Sequence, residues 1–480
     1  MNLKKTIVLA AVLAAGALYL TKIEMPQREF EVGQRMAFSK LKEAEISGLD
    51  ITRLDGDEQH YKLVRTPTKE AAITEAGRAT ISSDSWSIAG ISGAVVDGQQ
   101  LKGVIDGLSR LNVEGPLEEQ GLDSDLSVYG LDKPVLTIVV HEAGDRSTEV
   151  AFGKRSEYLG KRYVKVSGRS GVFLVDDAAF GALNKSRSDI RSKTPFGFST
   201  ADVRELKLAS FSATVRLQQP VVGEWKIVEP RELAASSEAV GDLLKTIQSM
   251  SVSDFIDGEG SRRDSYGFGK PRIKIFLTFR DGIEPKQVEY QLANKNAETG
   301  EPDDLYWMTS QSDTIFKLKD DPSARLVKNV DDLRERQIVR LSVAEIARVV
   351  SSGEGITPVD IATKGVAWTV NGKDSDPEFT EQLLKDIGGL QADEFPVVVP
   401  PNAFDRPFLV LSVSKASGDK GVITLSVGAE TKGAKGDAMR FVRSSASDTV
   451  YLIRDVEAKR LVPHEEVLLP RVTPSPAPAN

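Results

Sequence analysis

The side chains able to do chemistry are few. The sequence has three histidines, His60, His141 and His464, and no cysteine. Without cysteine there is no disulfide, thiol nucleophile, thiolate zinc site, iron–sulfur cluster or lipid-modified cysteine. The histidines are too scattered to give the spacing of a metal site. His60 beside Tyr61 is the one isolated acid–base candidate, because an imidazole titrates near neutral pH; a histidine on a surface strand has the same local sequence.

Loops that carry nucleophiles or phosphates are also missing. Gly168-Arg169-Ser170-Gly171 departs from the Gly-x-Ser-x-Gly spacing of a nucleophile elbow and reads as a hairpin turn. Gly258-Glu259-Gly260 and Gly353-Glu354-Gly355 lack a third glycine and the Lys-Ser/Thr that would follow, and their Glu would repel phosphate. Asp55-Gly56-Asp57-Glu58 and Glu301-Pro302-Asp303-Asp304 could offer oxygens to Ca²⁺, yet neither places a ligand at every second residue. Asp123-Ser124-Asp125 reads as a polar linker. With 62 basic against 70 acidic residues and no basic stripe, nucleic acid is not an expected partner. The expectation is a non-enzyme with no catalytic residue, cofactor or metal.

What remains is architecture. Hydrophobic residues make up 40% of the 480, enough for packed cores, and the length calls for several of them. A lone Trp on a short strand recurs at Trp86, Trp225 and Trp368, a period of about 140 residues. A turn ending in proline recurs with the same period: Tyr129-Gly130-Leu131-Asp132-Lys133-Pro134, Tyr266-Gly267-Phe268-Gly269-Lys270-Pro271 and the degenerate Asn402-Ala403-Phe404-Asp405-Arg406-Pro407. Each leads into an alternating apolar strand. A third landmark is a basic boundary, Asp189-Ile190-Arg191-Ser192-Lys193 and Asp332-Leu333-Arg334-Glu335-Arg336.

The fold class is therefore α+β: three tandem repeats over 37–198, 199–340 and 341–470, each a mostly antiparallel sheet packed with one main helix. Apolar spacing predicts those helices at 236–250 and 377–390, the equivalent place in the first unit is 98–111, and a short helix is expected to close the first two units at 177–184 and 322–327. A strand is expected over 49–54, and 66–85 reads as a loop. Each recurrent Trp fits a shared core position, or alternatively a stacking platform for carbohydrate. The Lys-Pro and Arg-Pro turns fit a fixed φ at a strand start.

At the N-terminus, Lys4 and Lys5 precede the uncharged stretch 6–20. As a helix that stretch covers about 22 Å, short of a hydrocarbon core of roughly 30 Å. It reads either as a single-pass anchor within segment 1–24, with Tyr19 and Lys22 at the interface, or as a signal peptide cleaved near Ala15-Gly16-Ala17. Either way the positive flank stays inside and the body lies outside the cytoplasm. The Pro/Ala-rich tail, 471–480, has little to bury and reads as disordered.

The Trp strands, the Tyr-Gly-Leu-Asp-Lys-Pro turn and the charged closing segments, behind a short N-terminal anchor, resemble the DUF4340 family of bacterial envelope proteins. That resemblance implies an accessory subunit anchored in the inner membrane. Its expected partners are an ABC-type permease of the kind linked to gliding motility and an associated extracytoplasmic subunit. No catalytic residue comes with the resemblance. Recognition of a cell-wall glycan or exported polymer is the alternative reading.

Overall fold

A computed structural model describes residues 36–38, 41–54, 59–66, 85–117, 125–157, 160–211, 213–294, 304–416 and 421–470. The expected anchor and tail, most of the 66–85 loop, the Asp55–Glu58 cluster and parts of the 123–125 and 301–304 clusters lie outside the described residues. No helix among those described is long and apolar enough to cross a membrane.

The chain is α+β, its strands forming sheets of seven, nine and eight with antiparallel pairing. It divides into two compact units, 1–212 with 242–327 and 213–241 with 328–480. The first sheet comprises β1 (Ile46–Arg53), β2 (Gln59–Thr66), β3 (Ser85–Ile88), β4 (Leu136–Glu142), β5 (Arg146–Arg155), β6 (Lys161–Val166) and β7 (Phe173–Asp176), with α1 (Gly98–Ser109) and α2 (Asp177–Leu183). Their order is β3-β2-β1-β4-β5-β6-β7, within the first unit. β4 alternates so that Leu136, Ile138 and Val140 face the core, and Ile51 of β1 sits between Tyr61 and Ile138.

α1 starts where it does because the Asp97 carboxylate accepts from the N–H groups of Gln99 and Gln100. Leu101, Val104, Ile105 and Leu108 then form one buried stripe at helical spacing. β1 begins at Ile46, earlier than expected, because a bulge between Ile46 and Gly48 breaks the alternation by which a strand is read.

The second set comprises β8 (Val203–Ser210), β9 (Thr214–Val221), β10 (Glu224–Glu229), β11 (Leu233–Ala234), α3 (Ser237–Gln248), β12 (Val252–Ile256), β13 (Ile273–Phe279), β14 (Gln287–Asn294), β15 (Leu305–Thr309), β16 (Ile315–Leu318), α4 (Ser323–Leu326) and α5 (Val330–Leu333). The first unit holds β8-β13-β14-β15-β16-β12 in that order; the second holds β11-β10-β9. β12, which the sequence pattern does not announce, follows the main helix and pairs with β16.

The last sheet lies wholly in the second unit. It contains β17 (Ile346–Ser352), β18 (Asp360–Lys364), β19 (Ala367–Val370), β20 (Lys373–Asp374), β21 (Leu409–Lys415), β22 (Val422–Lys432), β23 (Ala438–Ser444) and β24 (Ser447–Arg454), with α6 (Pro377–Gly388), α7 (Asp455–Arg460) and α8 (Glu465–Leu468). Its order, β20-β19-β18-β17-β21-β22-β23-β24, follows the plan of the first sheet: hairpins, then the main helix, then a meander that returns beside the first strand. Pro377 opens α6, the Asp376 side chain caps it, and Leu383, Leu384 and Ile387 are buried.

Candidate interaction surfaces

The Tyr-Gly turns at 129–130 and 266–267 are built alike. Tyr129 ends a tight turn, and Gly130 follows at φ 64°. Tyr129 packs edge-on against Tyr163 of β6, ring centres 4.8 Å apart. In the second copy Gly267 sits at φ 87° and Tyr266 packs edge-on against Tyr306 of β15, at 5.1 Å. A Cβ on Gly267 would lie 2.2 Å from the Asn294 carbonyl oxygen, so no larger residue fits without movement. The third copy has no tyrosine here; Arg443 instead covers the ring of Phe404 at 4.5 Å. Pro134, Pro271 and Pro407 stand just before β4, β13 and β21.

Trp225 is buried, while Trp86 and Trp368 are half-buried against their cores. The fourth tryptophan, Trp307 in β15, is fully buried and its indole N–H has no acceptor among the described residues. The histidines do not converge. His60 Nδ1 meets Thr52 Oγ1 at 2.9 Å, His141 Nε2 meets Asp50 Oδ2 at 2.9 Å, and His464 precedes α8. No group of three metal-ligating side chains occurs among the described residues.

The basic boundaries turn inward. The Arg191 guanidinium lies 3.9 Å from the ring centre of Phe255, with the Lys193 ammonium at 4.7 Å from the same ring. Nη1 of Arg191 donates to both Asp257 oxygens at 2.9 Å, and Thr314 Oγ1 donates to Asp257 Oδ1 at 2.7 Å. Burial holds Arg191 and Lys193 below their ordinary pKa values, against the pull of nearby carboxylates.

A second copy of this joint exists. Arg334 covers Phe395 at 3.7 Å and Arg336 reaches the same ring at 5.3 Å. The backbone repeats as well. The carbonyls of Ile190 and Lys193 accept from Asp97 N–H and Val252 N–H, as those of Leu333 and Arg336 accept from Ser236 N–H and Ala392 N–H. Each closing segment thus ties the start of one main helix to the chain that follows the next, β12 in the first case and the segment at Ala392 in the second.

Beyond Phe395 the chain runs uncharged to Phe404. Glu394 pairs with Leu452, but Pro396 has no N–H with which to continue that pairing, and the backbone departs from the sheet. Val397, Val398 and Val399 are consequently 100%, 74% and 38% exposed. Val366, on the β18–β19 turn, is also fully exposed. Three adjacent solvent-facing valines are an unusual sequence choice for a surface that meets only water.

A family model described as a domain of unknown function (DUF4340) matches residues 86–219 and 225–407, more than half of the chain. The chain belongs to the DUF4340 family. The two DUF4340 matches open on Trp86 and Trp225 and the second closes on Pro407, all of them landmarks of the internal periodicity. Neither a curated protein nor a solved structure matches the chain.

Proposed function

We propose that this DUF4340 protein is a non-enzymatic, membrane-anchored extracytoplasmic accessory subunit that works by protein–protein contact. The complex it serves is an ABC-type transport or gliding-motility-like assembly. The observation that carries this reading is the exposed Val397-Val398-Val399 run, apolar surface presented on a backbone free to dock against another protein. The recurring strand order and the paired Arg-on-Phe joints support three tandem repeats of one plan. Residues 6–20 are the anchor and keep the body in the periplasm or an equivalent space. The half-exposed Trp86 and Trp368 favour a second reading, binding of a cell-wall glycan or exported polymer.

The test is affinity purification of the full-length protein from detergent-solubilised native membranes, with mass spectrometry of what co-purifies. An ABC permease and its ATPase should be recovered in stoichiometric amount. They should be lost when Val397 and Val398 are both replaced by Asp, with the far-ultraviolet dichroism unchanged. Recovery of the protein without partners would overturn the reading and make a glycan screen the next step.

A further inference from the structure

Within the first compact unit, a cleft of about 360 Å³ opens between the segment after the first sheet and the β13–β14 hairpin. Its walls are aromatic: Phe196, Phe198, Phe279, Tyr290 and Phe316 all line it. The rings brace one another. Phe196 meets Phe316 edge-on at 5.1 Å and Tyr290 at 6.2 Å, Tyr290 stacks on Trp307 at 5.6 Å, and Phe198 meets Phe279 at 6.0 Å. The Gln248 side-chain amide donates to the Phe198 carbonyl and fixes the segment's backbone.

Two charged residues line the cleft, Asp202 and Glu284, and both are negative. Among the described residues no Lys, Arg or His lines it. Tyr290 is 6% exposed. Burial alone pushes its pKa up to about 12, so the phenol keeps its proton and can donate.

These features discriminate among ligand classes. An anion would meet two carboxylates and no cation. A neutral apolar molecule would dehydrate those carboxylates with nothing in return. An organic cation satisfies both parts of the wall, because its alkyl shell packs on ring faces that attract positive charge while the carboxylates neutralise it. We propose that this cleft binds an organic ammonium group, through its aromatic walls with Asp202 and Glu284 at the rim. This goes beyond the accessory-subunit reading and does not depend on it. The group could be carried by a small quaternary amine or by a lysine side chain of another protein, and the two sources are separable by experiment.

The test is calorimetric titration of the full-length protein with choline, with its neutral isostere 3,3-dimethylbutan-1-ol, and with a short lysine-containing peptide. A cation–aromatic contribution of this kind corresponds to roughly tenfold tighter binding of choline than of the isostere. Replacing Asp202→Asn and Glu284→Gln together should reduce choline's affinity, leave the part of the preference that the rings supply, and not weaken the isostere. Binding of the lysine peptide without choline would keep the proposal and assign the source to a protein. Equal affinity for choline and isostere would overturn it, as would no heat from any cation at tens of millimolar.

Discussion

The Arg191 guanidinium is held between a ring and a carboxylate: Phe255 lies 3.9 Å from it and both oxygens of Asp257 accept from it at 2.9 Å. The Arg191 side chain is 1% exposed, so removing it leaves Asp257 partly buried with fewer partners. Arg191→Met should cost about 3 kcal/mol, near the low end for breaking a buried ion pair, since Thr314 still donates to Asp257. Arg334→Met should cost about 1 kcal/mol, because its carboxylate partner Asp331 is half in water. Urea-unfolding midpoints of the two variants check the order. Equal shifts would show that the carboxylate contributes nothing beyond the aromatic stack.

Two glycines at equivalent turns should respond differently to alanine. Gly130→Ala meets Lys154 N at 3.1 Å and should cost about 1 kcal/mol, mainly for the left-handed backbone. Gly267→Ala also drives its Cβ to 2.2 Å from the Asn294 carbonyl and should cost about 3 kcal/mol. Thermal unfolding of both variants decides it; a smaller shift for Gly267→Ala would contradict the packing described.

Acid should act on Asp455. Its carboxylate accepts from Lys459 Nζ at 2.6 Å and from Arg440 Nε at 2.5 Å, and these hold its pKa below the ordinary value against the opposing effect of burial. A depressed carboxyl pKa stabilises the folded state fully above the unfolded value of about 4, and that stability is lost as pH falls through the lower folded value. Asp455→Asn should therefore destabilise at pH 7, and the gap to the parent should narrow below pH 4. A gap independent of pH would mean that the contacts act by shape alone.

Tryptophan accessibility should split two and two. Acrylamide should quench emission from single-tryptophan variants retaining Trp86 or Trp368, and leave those retaining Trp225 or Trp307 largely dark to quencher. Trp225→Ala should also cost about 3 to 4 kcal/mol, the range for emptying a large aromatic site. Strong quenching at Trp225 would contradict its buried position.

Local signals in the sequence led reliably to local structure. The second and third main helices announce themselves through apolar residues at helical spacing, with Ser236 Oγ accepting from Ala239 N–H at 3.2 Å and Asp376 capping the third, and the meanders through alternation after Pro134, Pro271 and Pro407. The basic boundaries show in the sequence as charge alone, because their partners lie far along the chain; Asp257 is 66 residues from Arg191. β12 escaped for the same reason, since five residues of mixed polarity become a strand only when β16 is beside them. The exposed valines left one usable trace, an uncharged run from 395 to 404 in which they lie between Pro396 and Pro400. The aromatic cleft left none, because Phe196, Tyr290 and Phe316 come together only through the sheet.

The closing segment 190–193 has a mechanical consequence. Its two carbonyls are held by N–H groups from elements on either side of it, Asp97 and Val252, while its arginine is clamped by Phe255 and Asp257. A tensile load entering at one of these elements and leaving at the other is shared among those bonds at once, and none can rupture early without passing its burden to the rest. Under such a load the seam would lengthen little until it failed as a whole.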